Sequence, residues 1–238
     1  KVNPSCYTLP KATRLTEGSF TVSGFEWSPD SKQIAFTRQP DPLINSGVHA
    51  DIAIVNISDK KVNTVISNPA ADFFGTWSPD GKSILYSSSL TDSISQYFRN
   101  NRLFIYDLVS KKSREILADI DENKNAMDWN TQGIFYGVMN KMKTGLFRYD
   151  PSTGQSIAIQ TGLDVPGFAS FSKDGSRMAI TGRNFDGLNE VWHGDLNGKI
   201  TALTSVNDQL KGWKIPISDI IRWNSKDGAE IEGVLIKP

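Results

Sequence analysis

Short apolar runs and polar turns alternate along the whole chain, and no stretch shows the 3.6-residue periodicity of an amphipathic helix. The apolar runs fall into units that recur roughly every 40 to 50 residues. Each unit carries an aromatic residue followed by a polar turn: WSPDS at 27–31, WSPDG at 77–81, WNTQG at 129–133 and FSKDG at 171–175. A repeat of this length indicates an array of equivalent structural units.

Four β-strands are predicted in each unit. The first is the short apolar run before each aromatic turn, and β-rich second strands follow at 34–36, 84–86, 134–136 and 178–180. Third strands are predicted at 51–55, 103–106, 145–149 and 190–192, and fourth strands at 62–66, 114–117, 156–160 and 200–204. This pattern is typical of propeller blades. The predicted fold class is therefore all-β, a β-propeller with about four four-stranded blades visible.

The repeated pentamer contains the chemistry of a tight turn. In WSPDG, the Ser78 side chain can bond to the nearby backbone, Pro79 has the φ angle that a type I turn requires, and Gly81 closes the turn. Pro29 occupies the position of Pro79 in the first copy, and Gly175 occupies that of Gly81 in the fourth. Each copy predicts a turn between the first and second strands of a blade.

The aromatic residue before each turn has two interpretations. Trp27, Trp77, Trp129 and Phe171 can wedge between neighbouring blades, or they can stack on a ligand. Recurrence in every unit favours packing, because a ligand-binding residue has no reason to recur in each repeat.

Composition and charge exclude several classes of partner. Lys and Arg number 26 and Asp and Glu number 26, so no basic surface for nucleic acid is indicated. No apolar run approaches the ~20 residues that a membrane-spanning helix needs. The single cysteine, Cys6, excludes an intrachain disulfide and leaves the compartment open between cytoplasm and periplasm. We expect no nucleic-acid partner and no membrane span.

Catalytic and cofactor motifs are missing from the sequence. Two segments begin as G-x-S, at 81–83 and 154–156, but neither ends in the glycine of a nucleophile elbow. Neither His49 nor His193 has a plausible nucleophilic serine nearby in the sequence. The glycines at 75 and 81 are too far apart for a phosphate-binding loop, and the acidic residues at 119–128 lack calcium-loop spacing. We expect no catalytic residue, metal or cofactor in this chain.

The repeats and the C-terminal segment together resemble a known family. The WSPDS and WSPDG turns, followed by Ile-Ala-Phe or Ile-Leu-Tyr, resemble the propeller repeats of TolB-like proteins and of prolyl oligopeptidase-family peptidases. Segment 203–238 resembles the junction between the propeller and the α/β-hydrolase domain in peptidases of the acylaminoacyl-peptidase and dipeptidyl-peptidase type. The matching residues are Leu203, Thr204, Asn207, Trp223, Ser225, Asp227, Gly228, Lys237 and Pro238.

This resemblance implies a serine peptidase whose propeller covers the hydrolase active site and admits peptides. The catalytic Ser, Asp and His would then lie beyond Pro238, the partner of this chain would be the C-terminal α/β-hydrolase domain of the same parent chain, and the chain alone would be inactive. The alternative is a TolB-like protein-binding propeller with no catalytic partner domain.

The domain boundaries follow from the same pattern. We expect propeller blades at 1–204, and a linker with the first hairpin of the hydrolase domain at 205–238. Strands at 217–223 and 229–236 flank a turn at 225–228. A lone hairpin is marginally stable, so the sheet is expected to continue beyond Pro238. Residues 12–16 are predicted to be the fourth strand of a preceding blade, so we expect the chain to be part of a longer protein.

Three connections between second and third strands are longer than a hairpin needs: 39–50, 90–101 and 181–189. Because successive strands alternate in direction, all three emerge at the end of the blades opposite the WSPDG turns. Long loops on one face of a rigid scaffold often carry function, although a solvated insertion explains them equally well. The candidate contacts to a peptide substrate are Tyr97, Phe98, Arg99, Arg183 and Phe185.

Overall fold

The computed structural model of the protein describes residues 11–90 and 100–237, and within them four sheets of four antiparallel strands follow one another along the chain. The first sheet consists of β1 to β4, at Thr21–Trp27, Gln33–Gln39, Asp51–Asn56 and Val62–Ile66. The second consists of β5 to β8, at Asp72–Trp77, Ser83–Ser88, Arg102–Asp107 and Lys112–Ile116. The third consists of β9 to β12, at Lys124–Asn130, Gly133–Asn140, Lys143–Tyr149 and Ser156–Ile159. The fourth consists of β13 to β16, at Val165–Phe171, Arg177–Arg183, Glu190–Asp195 and Ile200–Ala202.

The prediction of four four-stranded propeller blades is confirmed. In every sheet the strands pair in chain order, and the first strands of consecutive sheets, β1, β5, β9 and β13, contact one another. These first strands are therefore the inner strands of the blades. Residues 12–16 are not assigned to a strand, and the described residues contain no strand paired with them. The fourth strand of a preceding blade therefore stays a prediction.

Connections at the two ends of the blades differ in length. At one end, which we call the turn face, the WSPDG-type turns join first to second strands. At the other end, which we call the loop face, the second strands pass into the third strands. A 3₁₀ helix, Ile44–His49, lies in the loop-face connection of the first blade. In the third blade this connection is the short β10–β11 turn, formed by Lys141 and Met142.

The WSPDG turn has the structure that its sequence predicts. The Ser78 hydroxyl donates to Asp80 Oδ1 at 2.7 Å, and the Gly81 N–H donates to the Ser78 carbonyl at 2.9 Å. Gly81 has a φ of 69°, in the left-handed region that glycine adopts without strain. Gly175 has the same φ in the fourth blade. The third copy is shorter, because Asn130 pairs directly with the glycine that begins β10.

The hydrophobic core lies between the blades. Three clusters, each shared by two adjacent blades, hold the aromatic residues of the second, third and fourth repeats. Trp77 is 3% exposed, Trp129 packs against the cluster between the second and third blades, and the Phe171 ring lies 3.9 Å from that of Phe135. Trp27 departs from the packing expectation and is 51% exposed, because no earlier blade lies beside it in the described residues.

A separate antiparallel hairpin follows the fourth blade. It consists of β17, Ile217–Asn224, and β18, Glu230–Lys237, close to the predicted strands. Ser225 and Gly228 close the connecting turn, where the Gly228 N–H donates to the Ser225 carbonyl at 3.0 Å. A second 3₁₀ helix, Val206–Leu210, lies between the fourth blade and this hairpin.

Candidate functional site

Of the candidate contact residues that the sequence singled out, the structure describes Arg183 and Phe185, which lie at the loop face. Tyr97, Phe98 and Arg99 lie outside the described residues. Arg183 ends β14 and is half-buried, beside a small cavity that Asn184, Glu190 and Asn207 also line. The long connections of the first and fourth blades do join second to third strands, as their spacing predicts.

Phe185 belongs to a group of contacts that ties the fourth blade to the third. Its backbone N–H donates to Asp164 Oδ2 at 3.2 Å, and Lys143 Nζ lies 2.6 Å from Asp164 Oδ1. The same ammonium lies 6.0 Å from the centroid of the Phe185 ring, within cation–π range. The Asn184 side chain accepts a bond from the Asp164 N–H at 3.1 Å. The Phe185 loop is thus held against the beginning of β11.

A cavity of about 480 Å³ lies where the inner strands of the second, third and fourth blades reach the loop face. This volume falls within the range of small-molecule sites. We call it the aromatic cavity, because Phe73 and Phe74 of β5 and Phe168 of β13 line it, together with Met127 of β9. Its polar lining includes Ser87, Asn101, Asn125 and Thr144.

Bulges in the inner strands shape this cavity. The pairing of each inner strand with the second strand of its blade skips residues: Gly24, Gly75, Met127, and Gly167 with Phe168. A bulge re-aims the neighbouring side chains and increases the local twist. Each bulge therefore interrupts the regular pattern in which every second side chain of a strand points into the core.

Lys124 is the charged residue of the cavity lining, and its ammonium is already bound. Its Nζ donates to the carbonyl oxygens of Ile120, at 2.6 Å, and Glu122, at 3.1 Å. Burial lowers the pKa of Lys124 from its ordinary value. The Lys124 N–H also donates to Asn101 Oδ1 at 2.7 Å, which fixes the start of β7 against the start of β9. Lys124 and Asn101 therefore form the frame of the cavity.

The junction after the fourth blade is held by one buried carboxylate. Glu190 accepts bonds from the Thr204 hydroxyl, from the N–H groups of Val206 at 2.9 Å and Asn207 at 2.7 Å, and from the Asn207 side-chain amide at 2.8 Å. These donors, the Thr204 hydroxyl first, lower the pKa of Glu190 to about 2. The Asn207 amide oxygen accepts the Leu188 N–H at 2.8 Å. This network gives a structural role to two of the junction residues, Thr204 and Asn207.

The C-terminal hairpin contacts the loop face. Lys141 Nζ in the β10–β11 turn lies 2.7 Å from Glu230 Oε1, and the Met142 N–H donates to Glu232 Oε2 at 3.4 Å. Glu232 is itself paired with Arg222 across the hairpin at 2.8 Å. The hairpin therefore touches the third blade at the β10–β11 turn, which leads into Thr144 of the aromatic cavity.

The two histidines lie apart from both cavities. His49 ends the first 3₁₀ helix, and His193 lies in β15, opposite Ala179 and Thr201; both side chains are exposed. Within residues 11–90 and 100–237, no three metal-ligating side chains are grouped so as to hold an ion. No helix of the described chain is long and apolar enough to cross a membrane.

Sequence reasoning missed the aromatic cavity and Glu190. The aromatic residues of the cavity lie in the inner strands, where the sequence predicts core positions; Phe168 lies within the bulge of β13, and Phe74 lies next to the bulge residue Gly75. A local signal does exist, since Phe73-Phe74-Gly75 and Gly167-Phe168 place glycine beside an aromatic residue in an inner strand. Glycine inside a strand often marks a bulge.

Comparisons with known proteins agree with this architecture. No protein-family model matches the sequence. Dipeptidyl-peptidase 5 of Porphyromonas gingivalis is 25% identical over 224 residues, which are 91% of this chain and 32% of that protein. The chain thus spans about a third of the length of this curated relative.

Solved structures share the fold. The uncomplexed acylaminoacyl peptidase of Pyrococcus horikoshii superposes with a TM-score of 0.67 and 19% identity, covering 90% of this chain and 32% of that one. TolB from Acinetobacter baumannii superposes with a TM-score of 0.62 and 19% identity, covering 94% of this chain and 56% of that one. The chain is therefore similar to the propeller region of prolyl oligopeptidase-family peptidases, and it shares its propeller fold with TolB.

Proposed function

We propose that this chain is the non-catalytic propeller portion of a serine peptidase. In this role it covers the active site of an α/β-hydrolase domain formed by residues beyond Pro238, and it admits peptides rather than folded proteins. The observation that carries the proposal is the position of the C-terminal hairpin, which contacts the loop face through Lys141 and Glu230.

The hairpin supports this arrangement in two ways. Its sequence resembles the start of the hydrolase domain, so a domain that continues from it would begin at the loop face. Its strands also keep large apolar side chains exposed, including Ile217, Trp223 and Ile236. A two-stranded sheet with exposed apolar residues is marginal by itself and is stabilised when further strands or helices cover it.

The loop-face residues would then meet the substrate. Arg183, and Arg99 in the connection of the second blade, would offer guanidinium donors to peptide carbonyls or to a carboxylate. Tyr97, Phe98 and Phe185 would supply apolar contact area. The junction network around Glu190 would keep the chain that leads into the hydrolase domain fixed to the fourth blade.

A second candidate is a TolB-like protein-binding propeller without a catalytic domain. It is favoured by the superposition on TolB, which covers 56% of that chain, a larger share than for the acylaminoacyl peptidase. The two candidates differ in the sequence expected beyond Pro238. A hydrolase sequence with a G-x-S-x-G elbow supports the peptidase, and a gene that ends at Pro238 supports the binding propeller.

The proposal is tested with the gene product that contains this chain and the residues after it. That protein should cleave short peptides and should leave the same sequences intact inside a folded protein. In a Cys6→Ser background, Lys141→Cys with Glu230→Cys should be joined by a short bifunctional thiol reagent. The control pair, Lys60→Cys with Glu230→Cys, should not be joined, because Lys60 lies in the β3–β4 turn at the turn face. Equal cross-linking of both pairs, or no peptide hydrolysis, would overturn the proposal.

A further inference from the structure

The aromatic cavity has apolar walls that residues 11–90 and 100–237 leave open to solvent. Phe168 is 85% exposed and Phe73 is 41% exposed, and they lie on the inner strands of the fourth and second blades. Single exposed apolar residues are common and need no explanation. Phe73 and Phe168 differ from that, because both exposed rings line the same cavity, which Phe74 also lines while it packs against the core cluster between the first and second blades.

The backbone keeps these rings in place. Phe168 lies in the bulge of β13, and Gly75 next to Phe74 is the bulge residue of β5. A Cβ added to Gly75 would lie 2.8 Å from the Leu85 carbonyl oxygen, so this close approach of strands requires glycine. These residues thus lie in paired strands rather than in a loop, so a ligand would not have to order their backbone.

The residues that line the cavity disfavour a charged ligand group. The Lys124 ammonium donates hydrogen bonds to two carbonyl oxygens of its own loop. The nearest buried carboxylate along β5, Asp72, accepts the backbone N–H and side-chain amide of Asn68, each at 2.8 Å. Ser87, Asn125 and Thr144 are neutral. A charged ligand group would lose its hydration here without gaining an ionic partner, whereas a neutral apolar group would lose nothing.

The position of the cavity indicates which ligand would carry an apolar group into it. Thr144 in the lining follows the β10–β11 turn, whose Met142 contacts Glu232 of the C-terminal hairpin. The cavity therefore borders the contact with the segment from which the hydrolase domain would continue. A peptide held between the two domains would pass beside Phe168.

We propose that the aromatic cavity binds an uncharged, preferably aromatic, side chain of the peptide substrate. This inference rests on the proposed function, because it takes the ligand to be the peptide on its way to the hydrolase active site. The cavity is then a specificity-determining site of the propeller, separate from the loop residues Arg183 and Phe185.

The first test measures binding by the 238-residue chain itself. Titration with N-acetyl-phenylalanine amide, followed by NMR, should shift resonances of Phe73 and Phe168. N-acetyl-alanine amide and N-acetyl-glutamate amide should bind at least about tenfold more weakly, which corresponds to ~1.4 kcal/mol. Phe168→Ala should weaken binding of the phenylalanine probe several-fold, and folding should be unaffected because the ring is exposed.

The matched control is Phe25→Ala. Phe25 is also an exposed aromatic residue of an inner strand, at 69% exposure, but it lies in the first blade away from the cavity. Binding should be unchanged in this variant. Equal binding of all three probes, or equal loss in Phe25→Ala and Phe168→Ala, would overturn the assignment.

The second test separates this inference from the proposed function. The longer gene product is assayed with peptides that differ only by Phe, Ala or Glu at one position, scanned along the sequence. At one position kcat/KM should favour Phe, and Phe168→Ala should remove that preference while sparing the alanine peptide. Cleavage without any such preference overturns the cavity assignment and leaves the peptidase intact. No cleavage, with selective binding of the phenylalanine probe, overturns the peptidase and supports an apolar ligand site.

Discussion

The indole Nε1 of Trp77 donates a hydrogen bond to the carbonyl oxygen of Glu26, 3.2 Å away in the preceding blade. The backbone N–H of Trp77 also donates to Glu26 Oε2, at the same distance. The tryptophan of the second repeat therefore joins two blades through both its ring and its backbone. Its ring packs in the cluster shared by these blades, with Ile84 and Ile54.

Trp77→Ala should lower the free energy of unfolding by roughly 3–5 kcal/mol, the range for truncating a buried large aromatic residue. The loss combines the buried ring with the bond to the Glu26 carbonyl. Trp27→Ala is the matched control, since Trp27 occupies the same repeat position but is half exposed; it should cost less than about 1 kcal/mol. The free energies of unfolding of both variants are compared by urea denaturation. Equal effects would mean that the repeat position, rather than inter-blade packing, decides the stability.

Glu190→Gln should change how stability depends on pH. The pKa of Glu190 is lowered from 4.5 to about 2 in the folded chain, chiefly by the Thr204 hydroxyl. The stability that the ionised carboxylate contributes is therefore fully present above pH 4.5 and is lost as the pH falls towards 2. The difference in denaturation midpoint between the natural chain and Glu190→Gln should shrink over this interval.

Glu17→Gln serves as the control for this measurement, because Glu17 is an exposed glutamate outside every strand. Its denaturation midpoint should follow that of the natural chain at each pH. A difference for Glu190→Gln that stays constant from neutral pH down to about 2 would show that the carboxylate does not hold the junction.

Arg183→Ala should lower kcat/KM of the longer gene product by roughly tenfold, equivalent to ~1.4 kcal/mol of transition-state binding. Arg183 ends β14 at the loop face, where the substrate would lie. Arg177→Ala is the control, because Arg177 begins the same strand at the turn face and is exposed. The test measures steady-state kinetics on short and long peptides, together with thermal melts of both variants. Equal activity of the two variants would exclude Arg183 from the substrate site.

Arg99→Ala tests the second-blade connection in the same assay.

The fold could be predicted from the sequence because its signals are local. The WSPDG turn fixes its own geometry through a serine, an aspartate and a glycine within five residues: Ser78, Asp80 and Gly81. The same local signals cannot predict whether an aromatic side chain packs against a neighbouring blade. Trp27 and Trp77 both precede Ser-Pro-Asp, yet Trp27 is 51% exposed and Trp77 is 3% exposed, because only Trp77 has an earlier blade beside it in the described residues.

The candidate site was less predictable, since it depends on pairing between distant residues. Phe168 lies in an inner strand, where alternation predicts burial, and a bulge opposite β14 exposes it. Glu190 carries no motif, yet it gathers four donors from residues 14 to 17 positions away. The loop residues Arg183 and Phe185 were predicted as contacts from connection length alone. Connection length indicates where a loop lies but not what it binds, so this assignment stays a prediction.

On the proposed function, this chain shapes access to an active site that it does not contain. The most direct measurement is labelling with a fluorophosphonate probe, with identification of the modified serine, on this chain and on the longer gene product. We expect no labelled serine in residues 1–238, and one labelled serine beyond Pro238 within a G-x-S-x-G sequence. A labelled serine within residues 1–238, or a longer product that the probe leaves unmodified, would contradict the account.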